Sequence, residues 1–124
     1  MLTPTDERML KGVHPDLVKI VREADWMSPG MFKVLEGVRT LARQQELLAH
    51  GATTTLKSRH LTGHAVDLGA LVAGKLRWDW PLYSKQAGVV KQAAVHVGVP
   101  VEWGGDWKSF KDGPHFQLPW DAYP

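Results

Sequence analysis

The chain has 124 residues, 44% hydrophobic and 23% charged, with 15 Lys and Arg against 13 Asp and Glu. That balance fits one folded domain and excludes a disordered chain; no apolar run reaches the ~18 residues of a membrane-spanning helix. The absence of cysteine excludes a disulfide framework, thiolate metal sites and a cysteine nucleophile, so any metal must be held by His, Asp or Glu.

The first eleven residues, MLTPTDERMLK, lack a basic stretch followed by an apolar one, so no secretory signal is expected. Thr3-Pro4-Thr5-Asp6 predicts a helix start, with Thr3 as N-cap, Pro4 at the first position and Asp6 near the positive end. His14-Pro15-Asp16 predicts a second start, and Leu17, Ile20, Val21 and Ala24 then recur at the spacing of one helical face. Ser28-Pro29-Gly30 breaks that pattern. Phe32 to Val38 reads as a strand. Thr40 caps a helix carrying Leu41, Leu47 and Leu48, and Gly51 stands where a left-handed residue ends it. Ala52 to Arg59 is polar and predicts a loop.

His64 to Val72 reads as a strand, Ala73-Gly74 as a tight turn and Lys75 to Trp78 as the return. Asp79-Trp80-Pro81 opens a last helix, whose apolar face is Val90, Ala93, Ala94 and Val97 and which Gly98 and Pro100 end. Val101 to Trp103 and His115 to Leu118 are short strands around a loop from Gly104 to Gly113. The expected fold is α+β: a single domain over 1–124, with a small antiparallel sheet packed by about three helices.

Among the six histidines, company decides which matter. A catalytic zinc site needs three protein ligands and an open position, and His60, Asp67 and His115 would supply the three. Strand alternation puts Ala65, Asp67 and Gly69 on one face and His64, Val66 and Leu68 on the other, so Asp67 points away from the apolar side. By the same rule His115 and Gln117 share a face while Phe116 and Leu118 turn to the core. Alternation argues against His64, which becomes the substitute ligand if the register is off by one. His14 fits a helix start, and His50 and His96 fit helix C-termini, where imidazolium is favourable. Asp112 could take a proton from the attacking water and pass it to a leaving amine, or could be part of a plain solvated turn. Arg39, at a strand end, could meet a substrate carboxylate or an oxyanion, or could simply be a surface residue. Trp103 and Trp107 flank Gly104-Gly105-Asp106; they either wall a groove or sit in the core.

Taken together, Ser58-x-His60-x-x-Gly63-x-Ala65-x-Asp67 and the distant Asp112-x-x-His115 resemble the zinc peptidases of the D-Ala-D-Ala carboxypeptidase and phage endolysin group, related in fold to lysostaphin and the hedgehog domain. Glu36-Gly37-Val38-Arg39-Thr40 with Gln44 or Gln45 resembles that group's EGxR(T/S)xxxQ element, and Trp103 to Trp107 its (F/W)GGDW element. The nearest resemblance is to phage L-alanyl-D-glutamate endopeptidases. It implies Zn2+ on His60, Asp67 and His115, Asp112 as general base and then acid, and Arg39 steadying the oxyanion or orienting substrate. It also implies that Ser58 shapes the substrate or its supporting contacts; Trp103 and Trp107, as the walls of a groove, are the further candidates for binding substrate. Some members carry Glu where Asp112 stands. The implied partner is the peptidoglycan stem peptide, met by a monomer without nucleic acid, stable membrane association or a separate wall-binding domain. Release from the host cytoplasm through a holin-type lesion would bring the enzyme to the wall. Two rivals stand beside this: a D-alanyl-D-alanine carboxypeptidase or dipeptidase, and a non-catalytic zinc-containing wall-binding module.

Overall fold

The computed structural model describes residues 1–51 and 58–124; most of the loop expected over 52–59 lies outside them. Helix α1 (Pro4–Leu10) is a full helix of its own, so the described residues carry four α-helices rather than about three. Its start is a reciprocal cap: Asp6 N donates to Thr3 Oγ1 at 3.2 Å and Thr3 N donates to Asp6 Oδ2 at 2.8 Å. Asp6 is only 2% exposed, and its Oδ1 accepts from Val34 N in the first strand at 2.9 Å. One carboxylate therefore both caps α1 and fastens it to the sheet. Helix α2 (Pro15–Met27) starts on His14, whose Nδ1 accepts from Asp16 N, and buries Leu17, Ile20, Val21 and Ala24 as its periodicity requires.

Strand β1 (Phe32–Glu36) stops two residues short of the expected end. Gly37 begins a turn packed against α1, where a Cβ would stand 1.9 Å from the Met9 carbonyl oxygen. Helix α3 (Leu41–Ala49) is capped by Thr40. Its leucines do not form a core face: Leu41 is 55% and Leu48 38% exposed, and the residue α3 buries is Gln44. The helix is anchored by a polar contact to Arg39. Strands β2 (Ala65–Val72) and β3 (Lys75–Arg77) meet at Ala73 and Gly74, both at positive φ (52° and 78°), which suits the twist of a two-residue hairpin. Helix α4 (Trp80–Val97) ends at Gly98, φ 72°. Strands β4 (Glu102–Trp103) and β5 (His115–Gln117) complete the sheet.

All pairings are antiparallel, and β2 is the central strand. On one side it meets β1; on the other it meets β5 through Ala65–Asp67 and β3 through Ala70–Val72. The cross-strand neighbours Val34 and Leu68, and Val66 and Phe116, all lie in the buried core with the inward residues of α2 and α4. Burying this face leaves the alternate residues of β2 and β5 for the other face, where the polar side chains collect.

Asp6→Ala is expected to cost about 2–4 kcal/mol, a lost cap plus a buried Val34 N–H without a partner. Asp6→Asn, which keeps an acceptor, should cost less. Denaturant unfolding checks both, and equal stability of Asp6→Ala and the native chain would contradict the double role.

Candidate active site

The register of β2 and β5 sets Asp67 directly opposite His115. His60 arrives from a 3-10 turn (Arg59–Thr62), which Ser58 opens by accepting from His60 N and Gly63 closes at φ 76°. Gly63 is required there: a Cβ would meet the Gly12 carbonyl oxygen at 2.5 Å. The turn is held to the β1–α3 connection by Arg39 N donating to the His60 carbonyl, 2.9 Å. One ligand atom from each of His60, Asp67 and His115 lies within 4.8 Å of the others.

The imidazoles are oriented from behind. His60 Nδ1 is 2.8 Å from the Gly37 carbonyl oxygen, and His115 Nε2 is 2.7 Å from Gln117 Oε1. Both oxygens accept, so these nitrogens carry the N–H. The lone pairs of His60 Nε2 and His115 Nδ1 then face Asp67 Oδ1, at 3.2 and 3.3 Å. Two neutral imidazoles and a carboxylate thus aim electron pairs at one place, an arrangement that calls for a cation. The donor set suits a divalent transition metal, and locked outer N–H groups are the usual support for such ligands.

Burial disfavours ionisation of Asp67, but when His115 and His60 carry a proton on the nitrogens facing it, their bonds and charge outweigh burial and hold the carboxyl well below the usual range. Burial likewise works against a proton on His115, yet Asp67 reverses this and raises its pKa. A proton on His115 thus competes with a metal, and cation binding should weaken as pH falls through that raised value. Asp112 titrates above an ordinary aspartate, first because it is partly buried and second because Asp67 is near, with His115, His60 and Arg39 opposing. No hydrogen bond among the described residues holds its carboxylate. Its backbone is fixed by Asp112 N donating to Gly104 O, and a Cβ on Gly104 would crowd Asp112 O at 2.5 Å and the His115 Cβ at 3.1 Å.

The other expected site residues divide. Trp107 lies beside the triad, its ring centroid 5.0 Å from that of His115 and its Nε1 donating to Glu102. Trp103, expected to wall a groove, is 8% exposed and in the core, its Nε1 donating to Gly113 O at 2.7 Å. Its cross-strand partner is Phe116, so the alternation that turned Phe116 inward turns Trp103 inward as well. Ser58 acts locally, as the cap of the turn bearing His60. Arg39 is largely enclosed: its side chain is 9% exposed, with Nε and Nη2 on Glu36 and Nη1 on Gln44 Oε1. His64 stays out of the triad, bonded to Thr62 and stacked near His14. Three supporting residues lacked an assigned role in the sequence: Gly37, Gln117 and Glu36. For Gln117 the signal was available, since it shares a strand face with His115.

The arrangement fits a metallopeptidase. VanXYg, a vancomycin-resistance D,D-dipeptidase, has a TM-score of 0.56 at 18% identity, with 86% of this chain and 50% of that one covered, which shows a shared fold. The profile of the family described as phage L-alanyl-D-glutamate peptidase matches residues 1–118, and the chain belongs to that family. The L-alanyl-D-glutamate peptidase of Escherichia phage T5 is 32% identical over 110 residues, covering 86% of this chain and 80% of the relative. That of Listeria phage A118 is 37% identical over 101 residues, covering 80% of this chain but 35% of the relative. The crystal structure of the Serratia marcescens L-Ala D-Glu endopeptidase ChiX matches with a TM-score of 0.93 and 51% identity, covering 99% of this chain and 92% of that one.

Gln117→Leu removes the acceptor behind His115. It is expected to lower divalent-cation affinity by about ten- to a hundredfold, measured by competition with a chromogenic chelator; unchanged affinity would show that the outer bond does not orient the ring.

Proposed function

We propose that this chain is a zinc-dependent endopeptidase that cuts the L-alanyl-D-glutamate bond of the peptidoglycan stem peptide. The observation that carries this is the convergence of His60 Nε2, His115 Nδ1 and Asp67 on one point, beside an Asp112 carboxylate that no hydrogen bond among the described residues claims. The names of the phage relatives and of ChiX supply the bond.

His60, Asp67 and His115 would hold the ion. When bound, Zn2+ supplies a Lewis acid that polarises the scissile carbonyl and makes the attacking water more acidic. Asp112 accepts the proton of that water through its carboxylate, and its raised pKa makes it a better base than an ordinary aspartate. Having taken the proton, Asp112 delivers it to the departing amine. Trp107 covers one side of His115 and limits water there. Arg39 stands at the edge of the site, its Nη2 3.8 Å from Asp67 Oδ2. No residue need be acylated, which agrees with the absence of cysteine. Kinship with phage enzymes supports action on the wall of an infected bacterium, reached through a holin-type lesion. Among the described residues no helix is long and apolar enough to cross a membrane.

Digesting purified peptidoglycan and analysing the fragments by mass spectrometry tests the assignment. New amino termini on D-glutamate, lost with a chelator and restored by Zn2+, are expected; released D-alanine would contradict the bond, and full activity in chelator would contradict the metal. Asp112→Asn should lower kcat/KM by about 10²–10⁴-fold while Zn2+ stays bound, and undiminished turnover would remove Asp112 from the mechanism. At Zn2+ concentrations that keep the metal bound, the native enzyme should lose activity as pH falls through the raised Asp112 value, above the ordinary aspartate value of about 3.9. That limb should be missing from the residual activity of Asp112→Asn, and its persistence there would assign it elsewhere.

A further inference from the structure

Arg39 stands between two carboxylates and is bonded to one of them. Its Nε meets Glu36 Oε1 at 2.5 Å and its Nη2 meets Glu36 Oε2 at 3.0 Å, a two-pronged ion pair. Gln44 Oε1 accepts from Nη1 at 2.7 Å. The other carboxylate, Asp67, is 3.8 Å from Nη2 through Oδ2, beyond hydrogen-bond reach. This choice is built into the sheet. The register of β1 on β2 slips between Val34 and Glu36, and the slip sets Glu36 across from Asp67. Both carboxylates thus come from paired strand positions, with one guanidinium reaching both.

A guanidinium free to bond Asp67 Oδ2 would draw charge from the carboxylate whose Oδ1 faces the two imidazoles, and so weaken it as a donor to a divalent cation. An unneutralised positive charge so close would also repel the cation. We propose that Glu36 is a positioning residue whose work is to occupy and neutralise Arg39, so that Asp67 remains a full donor to the metal. The inference rests on the metal-centre reading above. It gives the acidic residue of the Glu36–Arg39 element a function separate from binding substrate.

The test is the zinc dissociation constant of four proteins, read by competition with a chromogenic chelator: native, E36Q, R39M and E36Q/R39M. Circular dichroism of the metal-free forms checks that each is folded. E36Q should bind zinc about tenfold more weakly, within the range for residues that support metal ligands. The double variant should recover to the affinity of R39M, because without the guanidinium there is nothing for Glu36 to restrain. Excess zinc should restore most of the kcat of E36Q. Native affinity in E36Q would overturn the proposal, and so would a double variant as weak as E36Q or weaker, since simple structural damage would not be reversed by a second loss. A native protein that binds no zinc would instead overturn the metal-centre reading itself.

Discussion

The functional face depends on one backbone constraint, the antiparallel pairing that places Asp67 opposite His115. Strand side chains alternate, so that register decides two things together. It sends Val66 and Phe116 into the core, and it sends the carboxylate and the imidazole to the same place on the other face. A slip of one residue would turn Asp67 and His115 into the apolar core and Val66 and Phe116 toward the site. The hydrophobic packing of α2 and α4 on the sheet therefore does more than stabilise the domain: it holds the site in register.

His60 is the one ligand that does not come from the sheet, and it needs separate fastening. The 3-10 turn carrying it is bonded to residues 37–39 in both directions, through Gly37 O with His60 Nδ1 and Arg39 N with His60 O. Residues 37–39 are in turn seated on α1, where Gly37 passes the Met9 carbonyl with no room for a side chain. The buried Asp6 carboxylate, which ties α1 to β1, is thus part of the chain of support behind a ligand far from it in sequence. The same segment carries Glu36 and Arg39, so one stretch of about four residues serves His60 through its backbone and Asp67 through its side chains.

Much of this was legible in the sequence because local rules govern it. The caps at Thr3, His14 and Thr40, the Ala73-Gly74 turn and the stop at Gly98 each follow from what those residue types do to the backbone. Period-two alternation gave the correct face to Asp67 and His115 before any pairing was known. What failed was non-local. The α3 leucines have a helical spacing, but whether a helical face meets a core depends on what lies across from it, and here a buried Gln44 meets Arg39 instead. Trp103 went to the core because β4 pairs with β5, and that partner was not visible in a two-residue strand. The pairing of Arg39 with Glu36, three residues before it, and with Gln44 depends on how the chain turns after β1, which residue types alone do not specify.

The most direct measurement is an anomalous-difference map from crystals of the zinc-loaded protein. One zinc ion is expected, bonded to His60 Nε2, His115 Nδ1 and a carboxylate oxygen of Asp67 at about 2.0–2.2 Å, with Asp112 facing its remaining position. Zinc bound through His64, through the outer nitrogens of His60 and His115, or at a different group of residues would contradict the account.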